Sequence, residues 1–99
     1  MKCHRIDLEG GMSLKIEGAL DALTARDIRP IFDSVVAEKP KRVTVDLQEL
    51  TLLDSSGVGA IVSLFKRVRG DGGQVIVANA KDQPLAVLKL LKLDKVFGL

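Results

Sequence analysis

The chain has 99 residues, of which 46% are hydrophobic, and its 15 basic and 13 acidic side chains leave a formal net charge of +2. That length accommodates one ordinary domain, residues 1–99, with no room for a second. The charges are interspersed and the 3 aromatic residues are all Phe, so neither a clustered basic face nor base stacking marks a nucleic-acid binder.

Cys3 cannot form an internal disulfide, and with only His4 beside it falls short of a metal-ligand set. No apolar run reaches the ~20 residues that cross a bilayer, and Met1-Lys2-Cys3-His4-Arg5 lacks the apolar core of a signal peptide. A cytoplasmic location without membrane insertion is therefore expected.

In chain order, residues 3–8 and 12–18 flank Glu9-Gly10-Gly11, and Met12-Ser13-Leu14-Lys15-Ile16-Glu17 alternates at period two. This predicts a hairpin with one buried face. Thr24-Ala25-Arg26-Asp27 has the spacing of a capping box, with Leu23 and Ile28 placed as a hydrophobic staple, so a helix is expected from Thr24. Ile28, Ile31, Phe32, Val35 and Val36 mark its buried stripe before Lys39-Pro40, while Pro30 should bend its first turns and could delay its start.

Arg42–Leu47 reads as a β-branched strand and Gln48 to Leu53 as a connection. A second helix is expected from Ser55 or Ser56, with the stripe Val58, Ile61, Val62, Phe65 and Val68, ending at Gly70-Asp71-Gly72-Gly73. Lys66-Arg67-Val68-Arg69 supplies its solvated face. Gln74–Ala78 follows as a buried strand, Asp82–Lys92 as a helix with Pro84 in its first turn, and Lys95-Val96-Phe97 as a last strand. The predicted order is ββαβαβαβ, an α/β fold with a mixed, mostly parallel sheet and an N-terminal hairpin.

Function concentrates at the entrance of the second helix, Leu53-Asp54-Ser55-Ser56-Gly57-Val58-Gly59. Asp54, Ser55 and Ser56 suit simple capping of free helix N–H groups. Gly57-Val58-Gly59 resembles part of a phosphate-binding loop, but Val62 stands where G-x-G-x-x-G needs its third glycine and no Gly-Lys-Ser/Thr follows. A serine nucleophile would need the G-x-S-x-G elbow, which is absent, and the only histidine is His4. A phosphorylation switch also fits: a phosphate adds about −1.5 to −2 charges, and a helix N-terminus tolerates them. A partner packed there on Leu52, Leu53 and Val58 would meet a dianion beside Asp54, so the complex rather than the fold would be weakened.

These residues closely resemble the STAS family, specifically the free-standing bacterial anti-sigma factor antagonists. The resemblance covers nearly the whole chain: Gly18-Ala19-Leu20-Asp21 ahead of Thr24, a strand ending Asp46-Leu47, the signature Leu53-Asp54-Ser55-Ser56-Gly57-Val58-Gly59, and Gly72-Gly73 before the next strand. It implies the STAS fold and phosphorylation at Ser55, with Ser56 at a position the family fills with Ser or Thr. It implies that Asp21, near the phosphosite, contributes to partner recognition alongside Leu52, Leu53, Asp54, Ser56, Gly57 and Val58. The implied partners are a serine-kinase anti-sigma factor, which also modifies the chain, and a PP2C-type phosphatase that removes the mark. The unphosphorylated form would capture the kinase and release its target, as transcription-regulating partner switches do. Relatives commonly continue beyond Phe97-Gly98-Leu99 into another helix. A STAS subunit serving without serine phosphorylation as a scaffold in a stressosome-like or transporter assembly is the alternative. The absence of a paired acid/base constellation speaks against an enzyme, and no cofactor is expected.

Overall fold

The computed structural model describes residues 1–99. Strands β1 (Lys2–Leu8) and β2 (Gly11–Leu20) precede helix α1 (Ala25–Ala37), strands β3 (Arg42–Asp46) and β4 (Leu50–Leu53), helix α2 (Ser55–Gly70), strand β5 (Gln74–Ala78) and helix α3 (Asp82–Leu90). Alternation in β2 buries Met12, Leu14, Ile16 and Leu20 on one sheet face and leaves Ser13, Lys15 and Glu17 half-buried on the other. This is the pattern of a strand with one packed face. Val43 and Val45 of β3 and Val75 and Val77 of β5 extend the buried face. Ile28, Phe32 and Val35 of α1 and Ile61, Leu64 and Val68 of α2 pack into the same core. Each such apolar side chain contributes about 1.5–3 kcal/mol on full burial.

The sheet runs β1-β2-β3-β5, with β1 antiparallel to β2 and the β2–β3 and β3–β5 pairs parallel. Beyond Lys15 the strand β2 leaves β3 and pairs in parallel with β4, through a register shift between Gly18 and Ala19. Gly18 has φ +90°, a conformation that suits glycine, and this permits the change of partner. The mixed, mostly parallel sheet with its N-terminal hairpin matches the fold class read from the sequence.

Several local assignments differ. The segment 48–53 contains β4, whose buried ends Leu50 and Leu53 enclose exposed Thr51 and Leu52, a pattern with no period-two signal. Lys95-Val96-Phe97 is a run of turns: Phe97 N–H donates to Leu93 O and Gly98 N–H to Lys95 O. Phe97 is nonetheless buried, edge-on to Phe65 with ring centroids 5.4 Å apart.

Helix α1 begins at Ala25 after N-cap Thr24 and runs unbroken through Pro30. No capping box forms, because the Thr24 hydroxyl is engaged by Asp21 N–H and Ala19 O instead of the helix amides. The staple is also absent, since Leu23 is 76% exposed. Ile31, expected in the buried stripe, lies on the exposed side. Helix α3 stops at Leu90, two residues short of its predicted end.

Candidate functional site at the amino end of the second helix

Strands β2 and β4 end side by side, with Leu20 paired to Leu53, and Asp54 N–H donates to Leu20 O at 3.2 Å. This places the start of α2 against the turn that leads into α1. Asp54 is the N-cap of α2 in an extended conformation, and its Oδ1 accepts from Gly57 N–H at 3.0 Å. Its Oδ2 accepts from Ala22 N–H at 3.2 Å, so one carboxylate joins the amino ends of both helices.

The capping is done by Asp54 alone. Neither Ser55 nor Ser56 makes a side-chain hydrogen bond within the chain; Ser55 is exposed and Ser56 half-buried. Helix α2 carries Arg67 and Arg69 in its last turn and no acidic residue in its first, so its dipole is neutralised at the carboxyl end by side chains but at the amino end only by Asp54.

Gly57 lets α2 approach the sheet. A Cβ there would lie 2.5 Å from Leu20 O and 2.8 Å from Leu53 Cδ1. Gly59, two residues on, faces open space. Both glycines lie inside the helix, so Gly57-Val58-Gly59 forms no loop around a phosphate. His4 sits on β1 with Nε2 3.3 Å from a Glu17 carboxylate and is not bonded to either serine. No group of three or more His, Cys, Asp and Glu side chains converges to hold a metal.

Asp21 organises the turn before α1. Its Oδ1 accepts from Leu23 N–H and Thr24 N–H, both at 3.0 Å, and lies 3.2 Å from the Thr24 hydroxyl. Bonding from Thr24, chiefly its backbone amide, with a contribution from Leu23, holds the Asp21 carboxyl below its ordinary value against a smaller desolvation effect. Its second oxygen has no partner in the chain and is available to another molecule.

Of the apolar residues assigned to partner contact, Leu52 is 42% exposed, but Leu53 and Val58 are only 0% and 7% exposed. Leu53 and Val58 are core residues that position the site; their side chains cannot be touched by a partner without unpacking. Gly57 is buried too, which leaves Asp21, Leu52, Asp54, Ser55 and Ser56 as the reachable members of the set. Leu23, read from the sequence as a staple, joins this exposed surface.

Gln83 was not singled out by the sequence. From the first turn of α3 its Oε1 accepts from Leu53 N–H at 2.8 Å and its Nε2 donates to Leu53 O at 2.9 Å. The side-chain amide thus replaces one residue of a neighbouring strand on the free edge of β4. Only its place in a helical first turn was legible, because its partner lies 30 residues away.

Comparison with known proteins agrees with this architecture. The family described as STAS domain matches residues 5–99. A STAS-domain containing protein of Pseudomonas aeruginosa is 29% identical over 86 residues, covering 87% of this chain and 84% of that one. An anti-sigma F factor antagonist of Paenibacillus polymyxa is 26% identical over 97 residues, covering 97% and 80%. The fold matches the anti-sigma factor antagonist SpoIIAA in its unphosphorylated form with a TM-score of 0.81 at 18% identity, over 99% of this chain and 98% of that one. The phosphorylated form of the Bacillus SpoIIAA matches with a TM-score of 0.76 at 18% identity, over 95% and 86%. With the family match spanning all but the first four residues, the chain belongs to the STAS domain family.

Proposed function

We propose that the chain is an anti-sigma factor antagonist of a partner-switching module, a binding protein and not an enzyme. Its unphosphorylated form binds a serine-kinase anti-sigma factor and releases that factor's target; phosphorylation of Ser55 ends the binding, and a PP2C-type phosphatase restores it. The observation that carries this reading is the exposed, unbonded hydroxyl of Ser55 on the first residue of α2, beside a cap that Asp54 already supplies. A phosphate there would lie where the helix dipole favours negative charge, so the fold accommodates it. It would also set a dianion among exposed Leu23 and Leu52 and half-buried Asp21 and Asp54, the groups a partner must cover, at a cost of several kcal/mol on desolvation. Relatives named as antagonists, and SpoIIAA structures in phosphorylated and unphosphorylated forms, support the assignment.

The test is incubation with the cognate kinase and ATP, read by intact mass and peptide mapping. One phosphate on Ser55 is expected, lost in Ser55→Ala and kept in Ser56→Ala. An active kinase that leaves the chain unmodified, or marks Ser56, refutes the proposal.

A further inference from the structure

Strand β1 forms one margin of the sheet and is exposed along its length, with only Cys3 half-buried. Gly10 C=O accepts from Lys41 N–H at 3.2 Å and Gly18 N–H donates to Glu49 O at 3.1 Å, so the even-numbered backbone groups along β2 face β3 and β4. The odd-numbered ones serve the ladder with β1, through the pairs Lys15–His4, Ser13–Ile6 and Gly11–Leu8. Cys3, Arg5 and Asp7 therefore turn their N–H and C=O groups outward, where no loop, turn or side chain bonds them.

The side chains of the strand divide between two faces. Arg5 and Asp7 stand opposite Leu14 and Met12 and share the helix-covered face, where Arg5 bonds both Asp7 and Glu38 at the end of α1. His4, Ile6 and Leu8 share the other face, and Ile6 and Leu8 are 57% and 54% exposed there. Exposed edges are usually blunted by charge of one sign, by proline or by a covering segment. The middle of β1 instead carries one cation and one anion around an uncovered isoleucine, with its backbone groups unpaired.

We propose that the outer edge of β1 is a docking site for the same edge of a second copy of the chain, the two strands pairing antiparallel about a twofold axis at Ile6. That register sets Arg5 of each copy opposite Asp7 of the other, and each such pair exchanges both its outward N–H···O bonds. Ile6 meets Ile6, and His4 meets Leu8, so the apolar side chains also cover one another. Axes on the neighbouring residues Arg5 or Asp7 would oppose each of these charges to itself. The isologous contact is thus specified by charge complementarity within one short strand. Residues 4–8 make a smaller interface than the 20–30 residues a side of a stable complex, so the dimer is weak, with Kd on the order of 0.1–1 mM. Strand β4 and the start of α2 lie on the opposite side of β2, so pairing leaves Ser55 reachable.

The test is sedimentation equilibrium and amide NMR of the full ¹⁵N-labelled chain from ~20 µM to ~2 mM, a range that brackets the expected Kd. The mass should rise toward a dimer, and the Arg5 and Asp7 amides should shift and exchange more slowly with concentration while those of Ser55 and Val75 stay unchanged. Asp7→Arg, at an exposed position, should weaken the dimer by roughly tenfold or more, and adding Arg5→Asp to it should restore pairing. Amide spectra of both variants check that the fold is kept. In a Cys3→Ala background, Ile6→Cys should close a disulfide between copies under mild oxidation, whereas His4→Cys should not. A monomer mass throughout the range, concentration-dependent shifts centred on another surface, undiminished dimerisation of Asp7→Arg, or cross-linking through His4→Cys in preference to Ile6→Cys would overturn the proposal.

Discussion

Replacing Gln83 with Ala removes both bonds that hold the free edge of Leu53, at 2.8 and 2.9 Å. A hydrogen bond of this kind has a net worth of about 0.5–1.5 kcal/mol, so the pair contributes about 1–3 kcal/mol. Gln83 is exposed, and water can reach the bared Leu53 groups, which moves the expected loss toward ~1 kcal/mol. Urea unfolding should show this loss with an unchanged denaturant slope, and hydrogen exchange should show faster opening at the Leu53 amide than at the central strand amides. Gln83→Glu separates the two bonds. Its carboxylate still accepts from Leu53 N–H but faces Leu53 C=O, so the folded state disfavours ionisation. The carboxyl pKa is then higher folded than unfolded, and the deficit relative to wild type should grow as pH rises through this range. An unchanged Leu53 exchange rate in Gln83→Ala would refute the reasoning, because it would show that the amide clamp does not hold the strand in solution.

Ser55→Asp should leave the melting temperature nearly unchanged, since the helix dipole favours the charge by only ~0.3–1 kcal/mol, while calorimetry should show clearly weaker binding to the anti-sigma partner. Equal affinities would contradict the proposed switch. Gly57→Ala should destabilise the chain by about 1–3 kcal/mol, because its Cβ would meet Leu20 O at 2.5 Å, whereas Gly59→Ala should stabilise it by about 0.5–1 kcal/mol. Denaturant unfolding of the two variants checks this opposition of sign. Asp21 has its carboxyl held below the ordinary 3.8 by Thr24, so its contribution is complete above that pH and is lost as pH falls through the lowered folded value. Asp21→Asn should flatten the acid limb of stability against pH. If the free Asp21 oxygen meets a basic partner group, the same variant should also lose more partner affinity than stability.

Most of the fold was legible because its signals are local. Alternation in Met12–Glu17 exposed the buried face of β2, and the spacing of Val58, Ile61 and Val68 exposed that of α2. Strand β4 was not legible: its Leu50 and Leu53 are spaced like neither a strand nor a helix, and its outer edge is completed by Gln83 from another element. The same limit applies at the site. Asp54-Ser55-Ser56 announced a helix entrance, but which residue caps it depends on contacts across the fold, and the choice fell on Asp54 through Gly57 and Ala22. Leucines flanking the motif carry no mark of the side they face, so Leu53 was assigned to a surface when it belongs to the core. Thr24 and Asp27 have capping-box spacing, yet Asp21, placed before them, is better situated to bond the turn amides.

The parallel ladders have a bearing on how the chain reaches this state. Gly11 pairs with Arg42, Leu20 with Leu53 and Arg42 with Gln74, so partners lie 31 to 33 residues apart at the parallel seams. Only the β1–β2 hairpin, closed from Leu8 to Gly11, can form from neighbours in the chain. Each remaining seam must close a loop of about one helix and one strand before any contact rewards it, which places folding between the microseconds of helical bundles and the seconds of all-β barrels. On a ribosome the hairpin can form early, but β3 gains its second neighbour only when Gln74–Ala78 has emerged, so the last quarter of the chain completes the sheet.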